Sequence, residues 1–419
     1  MIVFCRNLIY VLKHRRLMGV LFGLLLSATA VYVSGPYLRA GYHYQAGQKA
    51  LERRAFIEAQ KHAAVCLEVW PRGARSHLLA ARAARRAGLL DEAQQHLDAC
   101  PPSPDILEER QLERMLLQVQ RGGLAEVDRL LRQQVELDHP QSPAILEVLS
   151  WEWMRTFQLG EALWATEVWL QRQPREIEAL VRHGWICEHL SHKIDALEDY
   201  RQALALDPHR DPVRQRLAEI LLSLHQDGEA AEQFEYLRRK RPEDSAALLG
   251  LVRCRIQQSR LDEAEELLDD LLAHHKEVRA ALGERGRLAL ARGQLEQAEA
   301  WLRRAVAALP HDKDIVYNLI CCLQRQGKDG EAEAYVARLR QIEEDARRME
   351  KLVQQVLQTP KSAPLRYEIG ILFLRNGFEE DGRNWLRTAL EQDPTYQPAR
   401  QALAQYQPTA STREHLGER

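Results

Sequence analysis

A small residue recurs along most of the chain at a nearly fixed interval. Nine positions share this pattern: Ala59, Ala93, Val127, Ala162, Ala196, Ala230, Ala264, Ala298 and Ala332. Neighbouring positions are 34 residues apart, except for Val127 and Ala162, which are 35 apart. A fixed period of roughly 20 to 50 residues is typical of solenoids, in which similar units stack on one another. We therefore expect one repeat architecture instead of two or three separate globular domains.

Within one period the apolar residues have the spacing of helices. Leu180, Gly184 and Cys187 lie three or four residues apart, which places them on one helical face. Glycines near the middle of several units mark a turn, since a helix end favours a left-handed residue. These glycines are Gly88, Gly122, Gly293, Gly327 and Gly377. Each unit is therefore predicted to contain two antiparallel helices, which we call helix A and helix B.

The positions inside a unit match a known repeat. Leu180, Gly184, Ala196, Tyr200, Ala203 and Pro208 stand at offsets 4, 8, 20, 24, 27 and 32 of a 34-residue unit. In these positions the chain resembles the tetratricopeptide repeat family over roughly residues 40–396. The resemblance implies an all-α, right-handed superhelix of about ten repeats, with nine of them over residues 40–346. A tenth repeat and a short capping helix are expected over residues 363–407.

Two segments near the C-terminus depart from the period. The step from Ala332 to Gly382 is 50 residues, which is 16 residues longer than one period. Apolar residues in this interval keep a helical spacing, so we predict a helical extension over residues 347–362. Residues 408–419 are polar, and we expect them to be a disordered tail.

The N-terminus carries a candidate membrane segment. Residues 1–16 form a short basic segment, and residues 17–38 contain no charged side chain. Twenty-two helical residues span about 33 Å, enough for a bilayer core of about 30 Å. We favour a retained transmembrane signal anchor, with a signal peptide cleaved after Ala30 as the alternative. The basic cluster at residues 13–16 favours an inside N-terminus, so we expect the repeats on the extracytoplasmic side of the cell membrane.

Composition and motifs argue against several function classes. Lys and Arg number 58 against 60 Asp and Glu, so the charge balance gives no reason to expect a nucleic-acid partner. The sequence contains no GxSxG, HExxH or phosphate-binding loop motif. We therefore predict a protein without enzymatic activity, and the alternative is a non-catalytic subunit of an enzyme complex. The seven cysteines contain no CxxC pair and do not indicate a disulfide framework.

One stretch is rich in potential metal ligands. His183 and Cys187 are four residues apart on one helical face, a spacing that metal sites use. His189 and His192 lie near the turn between helices A and B and need not converge with them. We interpret all four as ordinary helix and turn residues, and we predict no metal and no cofactor.

Tryptophan is concentrated in one part of the chain, with five of the eight between positions 151 and 185. In the tetratricopeptide family, offsets 2, 5, 9, 12 and 13 of helix A line a concave groove. The resemblance implies a partner-binding groove with these members: Trp151, Met154, Trp185, Arg253, Arg287, Tyr317 and Arg325. The arginines would suit an extended peptide of acidic character. Asn318 falls outside the groove offsets, and a carboxylate clamp built on paired asparagines is not expected.

Together these observations predict a membrane-anchored scaffold that holds a partner protein along its concave groove. The family resemblance favours a role in cell-envelope assembly or export. Two further alternatives stay open at this point: a secreted or soluble protein cut after Ala30, and a spacer that self-associates. The sequence predicts no particular oligomeric state.

Overall fold

The computed structural model describes residues 35–274, 278–359 and 361–406. All regular secondary structure in these ranges is helical, which confirms the prediction of an all-α repeat protein. The chain divides into two compact units, Met1–Val148 and Leu149–Arg419. Each unit is described by itself below.

The described part of the first unit, from residue 35 on, contains six α-helices and part of a seventh. They are α1 (35–52), α2 (Phe56–Val69), α3 (Ala74–Arg86), α4 (Leu90–Ala99), α5 (Leu107–Gln120) and α6 (Leu124–Glu136). A short 3₁₀ turn, Pro104–Ile106, precedes α5, and α7 (Ser142–Arg155) crosses into the second unit. Consecutive helices pack through small side chains, and Ala59, Ala63 and Ala83 are completely buried.

The second unit contains the remaining fourteen helices of the described residues. They are α8 (Leu159–Arg172), α9 (Ile177–His189), α10 (Lys193–Leu206), α11 (Asp211–Ser223), α12 (Asp227–Lys240), α13 (Ser245–Gln257), α14 (Leu261–His274), α15 (Arg279–Ala291), α16 (Leu295–Ala308), α17 (Lys313–Arg325), α18 (Asp329–Gln358), α19 (Ala363–Arg375), α20 (Glu379–Gln392) and α21 (Gln397–Gln405). Odd-numbered helices from α1 to α19 are A helices, and each forms a helical hairpin with the B helix that follows it, which gives ten hairpins in the described residues. From α9 to α19, each A helix packs against its B helix.

The backbone repeats the period of the sequence. One residue in each of the ten A–B turns has a positive φ angle, and the ten are Arg54, Gly88, Gly122, Phe157, Ser191, His225, Ser259, Gly293, Gly327 and Gly377. They are separated by 34 residues, with one step of 35 and a last step of 50. All five glycines predicted at turns therefore adopt the left-handed conformation, with φ between 73° and 90°.

Small residues lie where helices A and B cross. Ala196, on α10 in the α9–α10 hairpin, is completely buried. A Cβ atom added to Gly184 would lie 2.8 Å from the ring of Tyr200, closer than Cβ atoms approach other atoms. The crossing distance thus requires glycine at this position, because packed interiors leave no room for an extra methyl group.

Helix α18 is much longer than the other helices, with 30 residues. Its first half packs on α17 through Val336 and Leu339. Its second half contributes Leu352 and Val356 to a separate cluster with Trp385 of α20. One continuous helix therefore carries the chain from the ninth helical hairpin to the tenth.

The tenth hairpin returns to the start of the second unit. The ring of Trp385 on α20 lies 4.5 Å, centroid to centroid, from the ring of Phe157 in the α7–α8 turn. Arg366 on α19 donates a hydrogen bond to the main-chain oxygen of Thr156 in the same turn. Within this unit, the last helical hairpin is therefore fastened to the first.

Part of the predicted N-terminal organisation lies outside the described residues. Residues 1–16 and 17–34 belong to that part, and residues 35–38 begin α1. Among the described residues, no helix combines the length and the apolar character needed to cross a membrane. The predicted tail at 408–419 also lies outside the described residues, so these assignments stay predictions.

Candidate functional site

Trp151 presents an open aromatic surface on α7. Its side chain is 52% exposed. The guanidinium carbon of Arg182 lies 5.7 Å from the centre of its ring, within the range of a cation–π contact. Arg182 also donates a hydrogen bond to Ser150 Oγ over 3.0 Å. Trp151 is therefore held on one side by α9 and is accessible on the other.

Trp185 lies in a different environment from Trp151. It stacks on His189, with ring centroids 3.6 Å apart, and its edge contacts Phe157 at 6.0 Å. Phe157 in turn packs on Trp385 of the last hairpin. Trp185 and Met154 are both half-buried. The returning hairpin thus places Trp185 in an internal aromatic cluster, whereas Trp151 stays open.

The other tryptophans of this region belong to the core. Trp153 and Trp169 are buried almost completely, and Trp153 makes an edge-to-face contact with Trp164 at 6.0 Å. This arrangement matches the general preference of aromatic pairs for edge-to-face geometry. Trp153 and Trp169 therefore hold helices together from inside the core, and Trp164 is half-buried beside Trp153.

A cleft opens along four successive A helices of the second unit. Helices α11, α13, α15 and α17 pack side by side and enclose a volume of about 280 Å³. Its charged and amide side chains include Glu219, Arg253, Glu284, Arg287, Asp312 and Asn318. Polar side chains from several of these helices converge on the cleft, and we call it the A-helix cleft.

Ion pairs fix the wall of the A-helix cleft. Arg253 Nε lies 2.7 Å from Glu284 Oε1, and Arg287 Nε lies 3.3 Å from Glu284 Oε2. Arg287 also donates to the main-chain oxygen of Arg253 over 3.3 Å. Glu284 is only 7% exposed, so its carboxylate is anchored between two guanidinium groups. Both arginines therefore hold defined positions before any partner arrives.

The balance of charge in the A-helix cleft is acidic. Its lining contains four carboxylates, from Glu219, Glu284, Asp312 and Asp314, and two guanidinium groups. Asp312 accepts hydrogen bonds from the main-chain nitrogens of Asp314 and Ile315, both at 3.0 Å, and so caps α17. This composition does not favour the acidic peptide expected from the arginines alone.

The groove residues named from the sequence fall into separate places. Arg253 and Arg287 lie together in the A-helix cleft, whereas Tyr317 and Arg325 do not line it. Tyr317 is more than half exposed, and Arg325 donates to the main-chain oxygen of Leu290 over 3.2 Å. Asn318, which the groove offsets excluded, lines the cleft. Asn318 lies four residues after Asp314 on α17, so helical spacing alone could have placed both side chains on the same face.

A second group of polar side chains lies between α9 and α10. His183 Nδ1 is 2.6 Å from Asp199 Oδ2, and Cys187 Sγ is 3.7 Å from the same nitrogen. Burial acts against a charged imidazole, but the hydrogen bonds and charges of Asp199 and Cys187 raise the pKa of His183 to about 10. His183 and Asp199 therefore form an imidazolium–carboxylate pair. The sequence pattern did not single out Asp199.

The comparisons with known proteins find a repeat family that part of the chain resembles. The family model of the tetratricopeptide repeat matches residues 226–284 and 289–356. These two segments are similar to tetratricopeptide repeats and make up about a third of the chain. They cover helices α12 to α18, including most of the A-helix cleft. No match was found among curated protein sequences.

Solved tetratricopeptide structures resemble the chain at low identity. A tetratricopeptide repeat protein from Parabacteroides merdae is 18% identical, with a TM-score of 0.42, and the match covers 64% of this chain and 99% of that chain. PilW, a type IV pilus biogenesis factor, is 23% identical with a TM-score of 0.40, covering 48% of this chain and 92% of that chain. These likenesses concern the repeat fold and say nothing of function.

Proposed function

We propose that the protein is a scaffold without enzymatic activity, which holds a partner protein in the A-helix cleft. The observation that carries this proposal is the cleft itself, with its wall fixed by the Arg253–Glu284–Arg287 ion pairs. Because these side chains are ordered in advance, binding a partner costs little further side-chain entropy.

The size of the A-helix cleft limits what it takes up. Its volume of about 280 Å³ is at the lower end of the roughly 300–1,000 Å³ of small-molecule pockets. It therefore suits one or two side chains of an extended segment better than a whole cofactor. Trp151 and Tyr317, which are both more than half exposed, offer additional contact surface outside the cleft.

The charge of the A-helix cleft indicates the kind of segment. Four carboxylates face two arginines, and both arginines are already paired with Glu284. A lysine or arginine side chain, or an N-terminal amine, would pair with the carboxylates that remain. We therefore propose a partner segment with a basic residue.

Filling the A-helix cleft tests this function. Asn318→Trp would place an indole inside the cleft, and Glu333→Trp, on the exposed surface of α18, is the matched control. Full-length tagged variants are recovered from native membranes, and bound proteins are quantified by mass spectrometry. We expect a partner that is lost at least tenfold from Asn318→Trp and retained by Glu333→Trp. Equal recovery by both variants would refute binding in the cleft.

The membrane anchor is the second part of the proposal. It rests on the 22 uncharged residues at 17–38, and the position of the repeats outside the cytoplasm rests on the basic cluster before them. A role in envelope assembly or export would follow from that location. Mass spectrometry of the mature chain tests the anchor, because a chain beginning at Val31 would show that the segment is removed.

A further inference from the structure

Among the described residues, a buried set of metal-binding side chains lies between α9 and α10. One imidazole, one thiol and one carboxylate, from His183, Cys187 and Asp199, have donor atoms within 4.8 Å of one another. They come from two helices, because His183 and Cys187 are one turn apart on α9 and Asp199 lies on α10. The packing of the two helices thus completes a cluster that α9 alone begins.

We propose that His183, Cys187 and Asp199 bind a divalent zinc-type cation that joins the two helices of this repeat. The proposal differs from the expectation, based on the sequence, that the chain binds no metal. The proposal does not depend on the scaffold function, since the cluster lies on a different repeat from the A-helix cleft.

The three donor atoms lie within reach of one ion, which small side-chain rotations would admit. Zinc lies about 2.3 Å from sulfur and about 2.0–2.1 Å from imidazole nitrogen, so two such ligands of one ion are about 3.5 Å apart. Cys187 Sγ lies 3.7 Å from His183 Nδ1 and 3.9 Å from Nε2, so a rotation of the imidazole is needed to aim one ring nitrogen at an ion beside the sulfur. Asp199 Oδ2 lies 2.6 Å from His183 Nδ1, which is a hydrogen-bond distance. A rotation of the carboxylate would let an ion take the place of the proton between them.

The ligand types and their burial favour zinc over harder cations. A thiolate with an imidazole suits zinc, whereas magnesium and calcium prefer oxygen ligands only. Cys187 is 2% exposed and Asp199 is 8% exposed, so few water molecules compete for the ion. His183 is half-buried, which leaves a route for entry and a position for a water ligand.

A second group shares Cys187 and is the competing site. It consists of Cys187, His192 and Asp195, at the start of α10, with both of the latter exposed. Exposed side chains at a helix start lose more conformational freedom on binding than buried ones. We therefore assign the ion to the buried group, and the test separates the two.

Cobalt(II) titration of the reduced full-length protein in detergent tests the proposal. Cobalt reports thiolate ligation by a near-ultraviolet charge-transfer band, and zinc added afterwards should displace it. We expect one equivalent of cobalt with this band. Cys187→Ala should abolish the band, and Cys254→Ala should keep it. Cys254 is the matched control, because it is a buried cysteine of the same core cluster.

Asp199→Asn provides a second variant that preserves side-chain size. Since changing even residues that only support metal ligands costs about 10- to 100-fold in affinity, we expect Asp199→Asn to weaken zinc binding at least about 100-fold. Asp195→Asn should change it less than about twofold. Absence of the charge-transfer band, persistence of the band in Cys187→Ala, or a larger loss in Asp195→Asn than in Asp199→Asn would each overturn the assignment.

Discussion

The guanidinium group of Arg366 donates a hydrogen bond to the main-chain oxygen of Thr156, which lies 210 residues earlier in the chain. Arg366 is completely buried and also lies 3.3 Å from Thr388 Oγ1. On the surface nearby, Arg155 pairs with Glu391 at 2.9 Å. These contacts join the last helical hairpin to the α7–α8 turn and fix the environment of Trp185.

Removing the Arg366 side chain should loosen the last hairpin. Arg366→Met keeps the aliphatic stem but leaves the Thr156 carbonyl without this donor, which should lower the free energy of unfolding by roughly 2 kcal/mol. Urea denaturation and limited proteolysis of α19 and α20 measure the effect. Arg387→Met, at an exposed position of α20, is the control and should behave like the unchanged protein. Equal protection of α19 and α20 in both variants would show that the Arg366 contact is not needed.

The contact between Phe157 and Trp385 should contribute strongly to stability. Phe157 holds its ring against Trp385 at 4.5 Å although its backbone has a φ of 50°, a conformation that is rare for bulky residues. Trp385→Ala should cost roughly 3–5 kcal/mol. Trp151→Ala, at an exposed site, should cost no more than about 0.5 kcal/mol. Thermal unfolding of both variants checks this, and similar losses would contradict the assignment of Trp385 to the core.

Two glycines should respond to alanine in opposite directions. At the α19–α20 crossing, a Cβ atom on Gly382 would lie 2.8 Å from the main-chain oxygen of Gly370, whereas nothing lies within 4 Å of a Cβ on Gly228 in α12. Gly382→Ala should therefore destabilise the fold, because a backbone atom cannot move aside cheaply. Gly228→Ala should stabilise it by about 0.5–1 kcal/mol through helix propensity. Chemical denaturation curves measure the stability of the two variants. Higher stability in both would contradict the close approach of α19 and α20 at Gly382.

Stability in mildly acidic solution should depend on His96. Burial and the neighbouring His77 lower the pKa of His96, although Glu92 opposes them. Below about pH 6.5 the imidazole of His96 therefore takes up a proton in the unfolded chain, whereas in the folded chain it stays neutral to a lower pH. The stability that neutral His96 contributes should be lost as the pH falls below about 6.5, and His96→Gln should remove this contribution from the slope of the stability curve. Denaturation at several pH values between 7 and 5.5 measures the slope; an unchanged slope in the variant would contradict the assignment.

The local part of the fold follows from the sequence because it repeats. Small residues such as Ala196 recur where helices A and B cross, and glycines such as Gly88 recur at left-handed turns between them. The helix pairs, their close packing and their turns are therefore predictable from the sequence. The contact of Arg366 with Thr156 has no such signal. It depends on the combined geometry of the seven hairpins from α7–α8 to α19–α20, including the long α18, so small changes at each step shift the position of the last hairpin.

In the candidate sites, too, contacts set by the repeat period could be predicted, whereas contacts set by the packing of separate helices could not. Arg253 and Arg287 are one period apart, so their proximity in the A-helix cleft could be anticipated, but the carboxylate of Glu284 between them could not. His183 and Cys187 share a helical face by spacing alone, whereas Asp199 joins them only through the packing of α9 on α10. Trp185 has a groove offset, yet it is half-buried against Phe157 and His189, and Phe157 in turn packs on Trp385 of the last hairpin.

The most direct test of the scaffold proposal is photo-crosslinking from inside the A-helix cleft. A benzophenone amino acid is placed at position 318 of the full-length protein in intact cells, and the exposed position 333 of α18 is the control. We predict a protein adduct at position 318 whose crosslinked peptide contains a basic residue, and none at position 333. No adduct at position 318, or the same adducts from both positions, would contradict the account.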